Sequence, residues 1–204
     1  MRRNLALERR PRPLSTRDLI LDEAERLIAL KGVYGFTLND IATPLDVKVP
    51  AIYKHFKSRD DVLVELSRRF IGALSMQFAY LPQDLARPTQ TLHTVVDQFV
   101  EFHFGHPAYV RLSLVDFATP QGGMEYIRRA AGGAFRDNLT SGPLAPMHKR
   151  LGDLIAAGQH AREFRPMSPL SFYRVVKSAL LICLVFPDDL LIEPAVSPAI
   201  KRKI

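Results

Sequence analysis

Apolar residues recur along this chain at spacings of three and four, and no stretch alternates convincingly at two, so the pattern is helical from end to end. Ile20, Ala24, Leu27 and Ile28 share one face of a first helix. Ser15 and Asp18 open it as a capping box, each side chain taking an amide the first turn leaves unpaired. Lys31 and Gly32 end it with a cationic last turn and a glycine stop. After VYGF, Thr37 and Asp40 form a second capping box, and Leu38, Ile41, Ala42 and Leu45 give a small inward face. A third box, Ser58 with Asp61, starts a long helix that runs to about Leu81 and is halted by Pro82. Three such starts in close succession describe a compact helical module.

Beyond Pro82 the segments lengthen and become more apolar. The spacing predicts helices over 89–105, 108–118, 122–139, 144–161 and 169–186, with proline or glycine between them. Phenylalanine is frequent there, at positions 99, 102, 104, 117, 135, 164, 172 and 186. The fold class is therefore all-α, with no internal repeat or low-complexity tract. It divides into a basic arm at 1–14, a compact module at 15–62 and a helical bundle at 63–204, the last boundary lying inside the long helix.

Within the compact module, residues 37–56, TLNDIATPLDVKVPAIYKHF, have the parts of a helix-turn-helix: TLNDIATPL as a first helix, LDV as the turn, KVPAIYKHF as a short second helix. Val47, Ala51 or Ile52, and Phe56 can anchor the second helix. Lys48, Val49, Pro50, Tyr53, Lys54 and His55 are then turned outward. Lysine neutralises phosphate, tyrosine and histidine donate hydrogen bonds to its oxygens, and small apolar groups pack on thymine methyls. Lys57 and Arg59 flank the start of the next helix, whose free amides also favour a phosphate. The net charge of +7 agrees with a polyanionic partner without identifying one.

These residues carry a family resemblance. TRDLILDEAERLIALKG, FTLNDIA and LDVKVPAIYKHFKSRDDVL, in that order, resemble the DNA-binding domain of TetR/AcrR transcriptional regulators. Thr37, Ile41, Ala42, Tyr53, His55 and Phe56 fall at the positions of the family pattern, and Arg59 takes the place of a phosphate-contacting lysine. The resemblance implies contacts to double-stranded DNA from Thr37, Lys48, Val49, Pro50, Ala51, Tyr53, Lys54, His55, Lys57 and Arg59. Two positions depart from the pattern: Asp46 stands where the turn usually has glycine, and Pro44 sits late in the first helix of the motif.

For the bundle, the resemblance implies an effector-binding and dimerisation domain, with a homodimer built on 144–161 and 169–186 and a palindromic operator read about 34–36 Å apart. The run VVKSALLICLVF suits such an interface, and equally suits an intrachain core. FVEFHFGHPAYVRLSLVDF, at 99–117, is the candidate effector lining through Phe99, Phe102, His103, Tyr109 and Phe117, although the same rings also suit ordinary core packing. A small hydrophobic or amphipathic effector follows from that composition, and the combined reading is a ligand-released repressor.

Other classes fare less well. His103 and His106, with His93 or Asp97, have the spacing of a metal pair, but the one cysteine, Cys183, lies in an apolar run suited to packing, and no metal is expected. A small enzyme using these histidines would lack a nucleophile motif or a phosphate loop, so no catalytic residue and no cofactor is expected. A helical adaptor using ALLICLVF remains an alternative. The lone cysteine, the absence of an apolar leader in MRRNLALERRPRP and the absence of a bilayer-length run point to the cytoplasm and away from a membrane. The arm at 2–12 is equally suited to phosphate or minor-groove contacts and to a solubilising tail.

Overall fold

A computed structural model describes residues 14–79, 84–117, 125–132, 139 and 141–185. The described residues form helices and no strand: α1 (Thr16–Lys31), α2 (Leu38–Ala42), α3 (Val49–Tyr53), α4 (Arg59–Ala79), α5 (Pro88–Gly105), α6 (Pro107–Phe117), α7 (Glu125–Ala131), α8 (Ala145–His160) and α9 (Pro169–Val185). The arm through residue 13, the stop at Leu81–Pro82, and residues 122–124 and 133–138 of the helix expected over 122–139 lie outside the described residues.

The capping boxes set the starts. Ser15 caps α1 against Asp18, and Thr37 caps α2 against Asp40, each with both reciprocal bonds formed. Ser58 Oγ accepts the Asp61 amide at 3.1 Å, while the Asp61 carboxylate reaches one residue further back, to the Lys57 amide at 3.0 Å. Gly32 ends α1 at φ 79°, its amide donating to the Ile28 carbonyl at 3.0 Å.

The first helix of the motif is shorter than TLNDIATPL. It closes at Ala42, and Thr43–Asp46 make the turn, with the Thr43 amide on Asn39, Asp46 on Thr43 and Val47 on Ala42. Pro44 has no amide to continue the ladder, so it lies just beyond the helix end instead of inside it. Asp46 carries the left-handed geometry at φ 51°, a conformation aspartate tolerates better than most residues.

One helix joins the two halves. At 1.5 Å per residue α4 is about 30 Å long; Val62, Leu63, Leu66, Phe70, Leu74 and Phe78 are buried along it. It packs on α1 and α7 over its first turns and on α6 and α8 further along. Arg17 to Glu65, at 3.0 Å, and Arg69 to Asp22 tie α1 to α4. The buried side chains of both halves form one continuous apolar cluster. Among the described residues no helix is long and apolar enough to cross a membrane.

Candidate nucleic-acid interface

A five-residue helix has no stability of its own and must be held by packing. α3 is held by Ile52, fully buried, and by Phe56 just past its end, whose amide bonds back to the Ile52 carbonyl at 3.0 Å. Arg17 lies over the Phe56 ring at 4.9 Å while its guanidinium bonds Glu65, so α1 and α4 together clamp the end of α3. That hydrogen bond holds the Glu65 carboxyl below its ordinary value. Pro50 occupies the first turn, where a missing amide has no cost.

With those anchors set, Lys48, Pro50, Tyr53, Lys54, His55 and Lys57 are exposed together, Tyr53 with 56% of its surface open. Three lysines, a phenol and an imidazole thus share a short ridge. Val49 is a correction to the expected outward set: it is half-buried and packs against the core beside Val47, because the helix phase set by Ile52 rolls it inward. Ala51 is half-buried on the flank. Thr37 is exposed, but its hydroxyl is already committed to the Asp40 carboxylate at 2.6 Å. That bond, then Lys31 at 2.9 Å and the Thr37 amide, holds Asp40 well below the usual carboxylate range.

Arg59, expected as a phosphate contact at the start of the next helix, is half-buried. Its guanidinium lies 4.7 Å from the Phe36 ring and 5.7 Å from Tyr34, with Nε and Nη2 buried and without a hydrogen-bond partner among the described residues. The stacked arginine ties the start of α4 to the α1–α2 loop. Arg17, Phe36 and Tyr34 were missed by pattern reading: single residues outside the motif gain their roles only when three elements converge.

The start of α4 is also tied to the bundle. Arg129 of α7 reaches Asp61 at 3.4 Å, Tyr126 reaches Asp60 at 3.4 Å, and Arg68 donates to the Ala130 carbonyl at 3.1 Å. Asp61 therefore holds the Lys57 amide with one oxygen and an arginine of the bundle with the other.

A short, core-anchored second helix, a left-handed turn at Asp46 and a basic ridge make a helix-turn-helix, and residues 20–66 match the family model for bacterial regulatory proteins, tetR family. Residues 20–66 are a DNA-binding domain of the tetR type. The HTH-type transcriptional repressor NicS of Pseudomonas putida is 27% identical over 97 residues, 48% of this chain and 46% of NicS. The HTH-type transcriptional regulator AcrR of Shigella flexneri is 37% identical over 90 residues, 42% of this chain and 40% of AcrR. The chain thus matches less than half the length of these curated relatives. The crystal structure of the transcriptional regulator FadR from Bacillus subtilis, in complex with stearoyl-CoA, aligns with a TM-score of 0.59 over 84% of this chain and 89% of that one, at 14% identity. That likeness is one of fold, and it runs through the bundle as well as the first three helices.

A cavity lies in the bundle between α5, α8 and α9. It is narrow, about 40 Å³, and walled by Phe78, Val95, Phe99, Met147, Leu151, Leu154, Phe172, Tyr173 and Val176, with Thr91 and Arg150 among its lining. Of the five residues expected to line a pocket, Phe99 does so. Phe102, His103 and Tyr109 do not: they are buried behind it, in a ring cluster with Phe70 and His106. The reason is helical phase. Thr91, Val95 and Phe99 form the α5 stripe that faces α8 and α9, whereas Phe102 and His106 face α4 and α6. The side chain of Phe117 lies outside the described residues.

The two histidines spend one ring nitrogen each on the helix backbone. His103 Nδ1 meets the Phe99 carbonyl at 2.8 Å and His106 Nδ1 the Phe102 carbonyl at 2.7 Å. Among the described residues no group of histidine, cysteine and carboxylate side chains is arranged to hold a metal ion.

Proposed function

We propose that the protein is a DNA-binding transcriptional repressor, acting in the cytoplasm as a homodimer on a palindromic operator and released by a small hydrophobic or amphipathic effector. The observation that carries this reading is the ridge of Lys48, Pro50, Tyr53, Lys54, His55 and Lys57 on a helix anchored by Ile52 and Phe56. Such a ridge enters a major groove while its lysines neutralise phosphates. The likeness to NicS, named a repressor, supports the direction of control.

Dimerisation is proposed on α8 and α9. On α9, Val175 and Ile182 are 69% and 53% exposed and Ala179 lies between them, an apolar stripe suited to a second copy. The effector is assigned to the cavity that Phe99 lines. At about 40 Å³ it holds a water or two and no ligand of drug size, so an effector must part α5, α8 and α9. Phe78, near the end of α4, is one of the walls. Displacing it would tilt a helix whose other end holds the Lys57 amide through Asp61, and the separation of the two recognition helices would change. The effector lowers operator affinity by as much as it prefers the parted state.

The test is binding of the full-length dimer to the DNA flanking its own gene, measured by gel shift across a salt series. Sequence-preferring binding that weakens with salt is expected, and replacing both Lys48 and Tyr53 with alanine is expected to abolish it while the dimer stays folded. Absence of any sequence preference at modest salt would refute the regulator reading; unchanged binding by the double variant would refute the contact assignment.

A further inference from the structure

The cavity that Phe99 lines ends against a buried polar cluster. His103 is completely buried, its ring 4.2 Å from Phe99, 5.5 Å from Phe102 and 5.5 Å from Tyr109. Lys177 of α9 is buried as well; its ammonium lies 3.4 Å from the Tyr109 hydroxyl, 5.3 Å from that ring and 5.7 Å from the ring of Tyr173. Phe99 and Tyr173 belong to both places: each lines the cavity, their rings are 5.8 Å apart, and one touches His103 while the other touches Lys177. Together they form the wall between the cavity and the cluster.

The tautomer of His103 follows from its partner. A carbonyl only accepts, so Nδ1 carries the hydrogen it gives to Phe99, and Nε2 is left with a bare lone pair. That nitrogen is buried and finds no hydrogen-bond partner among the described residues. A buried polar atom left unmatched is costly, which makes it a strong discriminator when a ligand can match it. The atom lacks a donor, while the ammonium of Lys177, which faces the same Tyr109 ring as His103, is itself a donor. A group that donates to the first and accepts from the second is a hydroxyl. A carboxylate would set its own lone pairs against Nε2, and a hydrocarbon would satisfy neither.

We propose that this cluster, His103 with Lys177, Tyr109 and Tyr173, is the recognition site for the hydroxyl head of an otherwise apolar effector, an alcohol or a phenol whose body fills the cavity once the Phe99 ring turns aside. The inference rests on the assignment of this cavity as the effector pocket. It adds the class of head group: His103 Nε2 accepts the ligand hydroxyl proton, and Lys177 donates to its oxygen.

Three probes with one body separate the head groups: 4-pentylphenol, its methyl ether 4-pentylanisole, and 4-pentylbenzoate, each titrated calorimetrically into the full-length protein. The phenol is expected to bind about tenfold more tightly than the ether or the benzoate. His103→Phe is expected to bring the phenol down to the level of the ether while leaving the ether unchanged. The wild-type comparison needs no variant. The His103 Nε2 nitrogen resonance should move with the phenol and stay with the ether, which places the contact. Equal binding of phenol and ether overturns the head-group assignment and leaves the pocket standing. Tightest binding by the benzoate overturns it in favour of an anion site. Binding by none of the three removes the pocket assignment and this inference with it.

Discussion

His103 makes the stability of this protein depend on pH in a way that can be sized from the structure. Burial among Phe99, Phe102 and Tyr109 holds its imidazole neutral and lowers its pKa from the ordinary 6.5 to about 4, with the nearby charges of Lys177 and His106 adding to the fall and the Phe99 carbonyl opposing it. Between those values the unfolded chain takes a proton that the folded chain refuses. Stability is therefore fully present above pH 6.5, declines as pH falls below that, and levels off once the pH is below about 4. A difference of that size corresponds to about 3 kcal/mol. Glu25 works against this: burial raises its carboxyl above the ordinary value, so its own contribution is lost as pH rises. The comparison must therefore be made against a variant. Urea unfolding of wild type and His103→Gln, followed by helical circular dichroism at one protein concentration from pH 7.5 down to 4.5, isolates the histidine. The wild type is expected to lose about 2–3 kcal/mol more than the variant over that range. Parallel pH profiles would refute the argument, because they would mean that the buried ring protonates without penalty.

Other perturbations address the reader module. Ile52→Ala empties the sole fully buried position of α3 and is expected to cost about 2–5 kcal/mol in urea unfolding, with operator binding lost alongside. Ser58→Ala removes the oxygen that receives the Asp61 amide and should cost about 1 kcal/mol, also read by unfolding. At Asp46, where φ is 51°, glycine is expected to stabilise slightly and valine to destabilise by about 1–2 kcal/mol; loss of stability in both would show that the aspartate side chain matters more than its backbone. Lys57→Ala should lower the slope of log affinity against log salt by about 0.9, the signature of one phosphate contact, without altering sequence preference.

Much of this architecture is local chemistry, and local chemistry is legible along a chain. The capping pairs Ser15–Asp18 and Thr37–Asp40 act within one turn, so residues three apart suffice to announce a helix start. The left-handed turn at Asp46 and the inward face of Ile52 and Phe56 follow from the same short-range rules, which is why the helix-turn-helix and its exposed lysines stood in the sequence. Local rules also set the early stop of α2, although Pro44 marks it less sharply than the turn geometry does.

Tertiary structure decided what the rest of the side chains do. Arg59 reads as a phosphate contact by its place at a helix start, yet the rings of Phe36 and Tyr34 lie within reach and turn it inward. Val49 is drawn toward the core by the phase that Ile52 imposes on α3. Phe99 faces the cavity while Phe102 and His103, three and four residues on, stand behind it in the aromatic cluster. The partners that settle these roles come from Arg17, Lys177, Tyr173 and α7, tens of residues away. Periodicity shows which faces of a helix are apolar; only the packing of helix on helix decides which apolar face becomes core, which becomes cavity wall, and where a buried polar atom is left waiting.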